Sequence, residues 1–151
     1  MPTHFTGTRA EMRTLDTFIK MTRCTNSVLT RLAERNTVGD LTYSQFAVLE
    51  ALYHLGSMTQ GEVSTKVLKS GSNITTVIDN LERDGLVRRE RDAKDRRVIN
   101  IHLTEAGSRK IEAVLPGHVA ALVDEFSVLS AKEQEQFGGL CKKLGKGRES
   151  A

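Results

Sequence analysis

Six of the ten residues from Arg88 to Arg97 are arginine or lysine: Arg88, Arg89, Arg91, Lys94, Arg96 and Arg97. Only Glu90, Asp92 and Asp95 oppose them. Cations at that density suit a polyanion. The net charge of +3 over 151 residues is too small to make the whole surface adhesive, so the cluster indicates a defined contact. Just upstream, Ser70, Ser72, Asn73, Thr75 and Thr76 offer short groups that exchange hydrogen bonds and permit close approach. Lys66, Lys69 and Arg83 flank them with positive charge suited to holding a phosphate backbone. Each set has a plainer explanation, since Ser and Asn often only cap helices and charged hairpin turns are often only solvated. Other chemistry has no support. There is no phosphate loop, nucleophile motif or carboxylate cluster beside a histidine, so an enzyme is not expected. His4, His54, His102 and His118 lack metal-ligand spacing. Cys24 and Cys141 are too few and too distant for a disulfide framework or zinc site. No metal or cofactor is expected.

The elements that must position these residues follow from periodicity. Residues 1 to 8 read as disordered. A long helix spans about Arg9 to Asn36, with Leu15, Phe18, Ile19, Thr22, Val28, Leu29 and Leu32 at helical spacing. Gly39 and Asp40 break it. Thr42 with Gln45, Thr59 with Glu62 and Ser130 with Glu133 are capping boxes that open further helices. Gly56 closes the helix that Thr42 opens, and a short helix follows Thr59 to about Val67. The next helix, about Ser72 to Asp84, carries Ile74, Val77, Ile78 and Leu81 as one buried stripe. Gly85 stops it with positive φ. Leu86 to Arg91 and Val98 to Leu103 alternate as strands around a charged turn. Thr104 caps a helix from Glu105 to about Leu129, which Pro116 should kink or split. A last helix carries Phe137, Leu140, Cys141 and Leu144 on one face.

This order predicts a mostly α fold with a small β-wing: a winged helix-turn-helix over residues 42–103, with helical regions 9–36 and 105–146 around it. In such a pair the second helix enters a DNA major groove by its N-terminal residues. An arginine at the hairpin tip suits the narrow, electronegative minor groove. Asp95 is placed to hold such a guanidinium by a two-pronged hydrogen bond. The long apolar stripes of the end helices exceed what the winged core can cover, and a second copy would cover them. No apolar run approaches the ~20 residues of a membrane helix. The start, MPTHFTGTRAEMR, lacks the apolar core of a signal peptide, which predicts a cytoplasmic protein.

YSQFAVLEALYHLGSMTQGEVSTKV over residues 43–67 and LERDGLVRRERDAKDRRVINIHLTEAG over residues 81–107 resemble the MarR (multiple antibiotic resistance regulator) family. The run DRR at Asp95 to Arg97, followed by alternating strand residues and LTEAG, is the specific part. The resemblance spans nearly the whole chain and implies one MarR-type domain over residues 1–151. It further implies a homodimer interlocked by the end helices, and a repressor on a palindromic double-stranded operator. By the resemblance, Arg97 is the minor-groove arginine, Asp95 its partner, and Ser70 to Thr76 the start of the recognition helix. Arg91, Lys94 and Arg96 complete the expected DNA-contacting wing. The resemblance also implies release by a small phenolic or aromatic effector, with Phe18, Arg23, Ser27, Tyr53 and His54 as candidate lining residues. EALYHLG and VLKSGSNITTVIDNLE are similar to the branch that answers to quinones and related electrophiles. Some members instead sense oxidation through cysteine. Cys24 is the candidate for that role, although MTRCTNS does not match the peroxide-sensing pattern. The alternative for Cys24, and the expectation for Cys141, is a small packed core residue.

Overall fold

The structure, a computed structural model, describes residues 4–67 and 74–147. The element order is α1 (Arg9–Glu34), α2 (Tyr43–Leu55), β1 (Met58–Thr59), α3 (Gln60–Val67), α4 (Ile74–Arg83), β2 (Val87–Arg91), β3 (Ile99–Leu103), α5 (Glu105–Phe126) and α6 (Ala131–Lys146). The chain forms two compact units, residues 37–119 and residues 1–36 with 120–151.

In the first unit, the three antiparallel strands run in the order β1-β3-β2. β2 and β3 form the hairpin, paired from Val87 opposite Leu103 to Arg91 opposite Ile99. β1 is a third strand that periodicity misses. Two residues are too short to show alternation, and Met58 and Thr59 are recruited by pairing with Ile101 and Asn100. The core gathers Phe46, Val48, Leu49 and Leu52 from α2, Val63 from α3, Ile78 and Leu81 from α4, Val87 and Ile101 from the sheet and Ile111 from α5. The α4 stripe is present, with Ile78 and Leu81 buried and Ile74 and Val77 packed against them. Thr42 with Gln45 and Thr59 with Glu62 make reciprocal capping boxes. Gly85 has φ +72°, as a stop after α4 requires. Leu86 N–H then donates back to the Leu81 carbonyl.

Thr104 does more than cap α5. Its Oγ1 accepts the Gly107 N–H at 3.0 Å and donates to the Gly85 carbonyl at 2.7 Å. Its N–H donates to the Leu86 carbonyl at 3.1 Å. The start of the hairpin, its end and the next helix are thereby tied at one point. His118 is buried against the rings of Phe46 and Tyr43, and its Nδ1 lies 3.0 Å from Thr37 Oγ1.

In the second unit, α1 opens on a Thr8–Glu11 capping box, so order begins earlier than the expected disorder of residues 1 to 8 allows. Ser130 and Glu133 cap α6 as expected. Arg31 and Arg35 of α1 hold Glu125 of α5, at 2.7 and 3.1 Å. The expectation that Pro116 would kink or split its helix is corrected in part, because α5 continues through it as one element. Pro116 has no N–H to offer the Glu112 carbonyl, and both residues are exposed, so solvent can reach that acceptor. The helix ends at Phe126, and Ser127 caps the turn by donating to the Asp124 carbonyl. Along the terminal helices the apolar faces stay open: Phe18, Val123, Phe137, Leu140 and Leu144 are all exposed. No single helix among the described residues is long and apolar enough to cross a membrane.

Candidate nucleic-acid interface

Alternation in the hairpin divides the basic cluster by face. Val87 is buried against the core, so Arg89 and Arg91 share its side, while Arg88 and Glu90 take the other. Arg88 pairs with Glu90, whose carboxylate also lies 3.5 Å from His102 Nε2. His102 Nδ1 in turn lies 2.7 Å from Ser57 Oγ. Those contacts hold Glu90 below the usual carboxylate range, Arg88 first and His102 after it. Arg91 reaches along the hairpin and donates to the Arg96 carbonyl at 2.9 Å.

The turn itself is built by a residue that sequence reading did not single out. Asp92 Oδ1 accepts the N–H groups of Lys94 at 2.8 Å and Asp95 at 3.1 Å, and Oδ2 accepts from Asn100 at 3.4 Å. The backbone donors chiefly depress the Asp92 pKa. An aspartate opening a turn is a recognisable Asx signal. The two-pronged Asp95–Arg97 pair is corrected. Asp95 accepts the backbone N–H of Arg97 at 3.0 Å, and the guanidinium Nε lies 3.8 Å away. A carboxylate two residues back reaches the backbone amide more easily than it spans both arms of a fork. Arg97 therefore leaves the turn with a side chain 95% exposed. Lys94 and Arg96 are exposed beside it.

On α4, Thr75 and Thr76 are exposed, and Gln60 at the start of α3 donates to Thr75 Oγ1 at 3.1 Å. Lys69, Ser70, Ser72 and Asn73 lie outside the described residues. Lys66 is exposed near the end of α3, and Arg83 is exposed at the end of α4. A groove of about 460 Å³ separates the start of α4 from the wing, with Gln60, Ser64, Ile74, Arg97 and Val98 on its walls. Its floor is apolar and Arg97 supplies charge at its edge. Arg89, missed except as one of the cluster, joins the wing to α4 by ion pairs with Asp79 and Glu82. Its position two residues after Val87 is the signal that places it on that face.

The effector candidates fall into both units. Phe18, Arg23 and Ser27 are on α1, and Tyr53 and His54 are at the end of α2. Phe18 borders an apolar hollow with Phe5 and Leu15. His54 borders a different hollow with Glu50, Leu55 and Lys66. Cys24 and Cys141 are both exposed in the chain, which corrects the expectation of packed core residues. The apolar positions around them belong to helix faces that this chain does not cover. Among the described residues no group of three or more His, Cys, Asp or Glu could hold a metal.

Similarity to known proteins agrees with this geometry. The MarR family profile matches residues 41–99, from before α2 to the start of β3. The regulator MhqR of Bacillus subtilis is 32% identical over 133 residues, covering 88% of this chain and 92% of its own. This chain belongs to the MarR family. The repressor MdtR of the same organism is 34% identical over 110 residues, covering 73% and 71%. The crystal structure of PcaV from Streptomyces coelicolor, with its natural ligand, superimposes with a TM-score of 0.74 at 26% identity, covering 85% and 92%. MarR proteins are DNA-binding transcriptional regulators with a winged-helix fold, and they are not enzymes.

Proposed function

We propose that this MarR-family protein is a homodimeric cytoplasmic repressor that holds a palindromic operator through two winged units. We propose further that it releases the operator when a small aromatic, phenolic or quinone-like compound binds. The observation that carries the DNA reading is the shared groove: Ile74 at the start of α4 and the exposed Arg97 border one channel. A helix in the major groove with an arginine in the adjacent minor groove would leave the intervening phosphate strand along that channel. Lys66, Lys69, Lys94 and Arg96 would hold phosphates. Ser70, Ser72, Asn73, Thr75 and Thr76 would meet base edges. Arg91 and Asp95 would shape the wing.

The open apolar faces of the terminal helices support the dimer, since patches of that kind mark association surfaces. A twofold axis would set the recognition helices roughly 34 Å apart and make the operator symmetric. MdtR supports the repressor sense, and the ligand-bound structure of PcaV supports an effector. The candidates for holding the effector are Phe18, Arg23 and Ser27 on α1 and, separately, Tyr53 and His54 on α2. The exposure of Cys24 favours a second reading, in which oxidation of this thiol releases DNA. Cys24→Ser should then stay bound after oxidant or quinone treatment, while unchanged sensitivity leaves the aromatic effector.

Selection of duplexes from a random pool, followed by footprinting, tests the operator. Arg97→Ala should lose about tenfold or more in affinity for the selected duplex, and a loss under about twofold would contradict the minor-groove role. Sedimentation should find a dimer, and a folded monomer would remove the basis for a palindrome.

A further inference from the structure

Arg89 stands in the middle of β2 and turns towards the recognition helix. Its guanidinium donates to Asp79 Oδ1 at 2.5 Å and to Glu82 Oε2 at 2.6 Å. Its backbone N–H donates to the other oxygen of Glu82 at 3.1 Å. Asp79 and Glu82 lie on successive turns of α4, so one wing residue grips the helix at two levels. Burial opposes the charge on Arg89, and the two carboxylates outweigh it and raise its pKa.

The other wing cations are disposed differently. Arg97 is exposed at the tip, 3.8 Å from Asp95; Arg88 lies on the opposite face of the sheet, and Arg91 closes the turn. Only about a fifth of the Arg89 side chain is exposed, against 57% for Asp79. Asp79 is one turn after Thr75 on the same face of α4. Without the Arg89 guanidinium, two carboxylates would lose their cation beside Thr75, a position proposed above to meet bases, within the ~10 Å over which charges act at moderate salt.

We infer that Arg89 is a positioning residue of the DNA interface: it fixes the wing against the recognition helix and cancels the charge of Asp79 and Glu82. It acts through those residues and touches no phosphate. The inference rests on the DNA-binding reading above and assigns this arginine a task separate from that of Arg97.

The test uses the full-length protein and a duplex selected by it. Arg89→Gln should remain folded by circular dichroism and lose about tenfold in affinity, while the slope of log K against log salt stays unchanged. Adding Asp79→Asn and Glu82→Gln should recover most of that loss, and by more than the same pair changes affinity in the wild-type background. Arg89→Lys should fall between, because it restores charge without the fork. A slope shallower by about 0.9 would mean that Arg89 contacts a phosphate directly, and would overturn the inference. So would a neutral Arg89→Gln, or a loss that the paired substitutions do not repair. If Arg89→Gln alone fails to fold, its combination with Asp79→Asn and Glu82→Gln carries the affinity and salt-slope readouts, because it removes the cation together with the two charges it opposes. A wild-type protein that selects no duplex defeats the DNA reading itself. Binding that depends on Arg97 but is indifferent to Arg89 defeats only this inference.

Discussion

Gly107 is the third residue of α5, and intrinsic propensity says that alanine should improve it by about 0.8–1 kcal/mol. The packing reverses that sign. A Cβ at this position would lie 2.1 Å from the Leu86 carbonyl oxygen, 2.7 Å from Leu103 Cδ1 and 3.1 Å from the Leu86 carbonyl carbon. Comfortable separations begin near 3.5 Å, so the strand entry would have to retreat by more than about 1 Å. That backbone is committed elsewhere. The Leu86 carbonyl accepts from Thr104, and Thr104 also binds Gly85 and Gly107 itself. Overpacking costs about 1–3 kcal/mol and each disturbed hydrogen bond about 1 kcal/mol, so Gly107→Ala should lose about 2–4 kcal/mol after the propensity gain. Gly117 lies in the same helix, is exposed and has nothing within 4 Å of its Cβ position. Gly117→Ala should therefore gain up to about 1 kcal/mol. Urea denaturation followed by circular dichroism reads both. Equal gains at the two sites would refute the steric argument. The hairpin enters the sheet at this clash, so Gly107→Ala should also weaken DNA binding, whereas Gly117→Ala should leave it unchanged.

Burial pulls the His118 pKa below its ordinary 6.5, and Glu50 only partly offsets this. In the folded protein the ring therefore takes its proton at lower pH than in the unfolded chain. Stability should be constant with respect to this group above about pH 6.5 and fall as pH drops below it, at no more than about 1.4 kcal/mol per pH unit. His118→Gln should flatten that part of the curve, and an unaltered slope would assign the loss to other groups. Asp92→Ala should free two backbone N–H groups of the wing turn and speed hydrogen exchange at Lys94 and Asp95. Its DNA affinity should fall because the wing must then be ordered on binding, and unchanged exchange would show that the turn is held by other means.

The helices were legible because each has a strong local signal. Three capping boxes named their own first turns, and the stripe from Ile74 to Leu81 has the buried period of a helix. What stayed hidden depends on partners remote in sequence. β1 is two residues that become a strand only by lying against β3. Ile111 joins the winged core although its period is indistinguishable from that of the exposed α5 residues beyond it. Gly107 reads as a mild helix defect until the Leu86 carbonyl is seen beside it.

The basic cluster shows the same limit at the site. Six cations within ten residues signal a polyanion, but a count assigns them equal roles. The strand period separates them. Positions in step with Val87 meet the protein, where Arg89 finds two carboxylates and Arg91 a carbonyl. Arg88, out of step, pairs across the outer face with Glu90. Past the turn that Asp92 and Asp95 fold with their carboxylates, Arg96 and Arg97 are exposed, and Arg97 keeps only a 3.8 Å approach to Asp95. The acids scattered through the cluster are therefore what sorts a diffuse positive charge into cations turned to the protein and guanidinium groups turned outward at the tip. Neutralising them should leave the net attraction for DNA stronger and its geometry poorer. Affinity for random duplex should rise in Asp92→Asn while discrimination in favour of the selected duplex falls, and a parallel rise in both would show that the carboxylates act only as bulk charge.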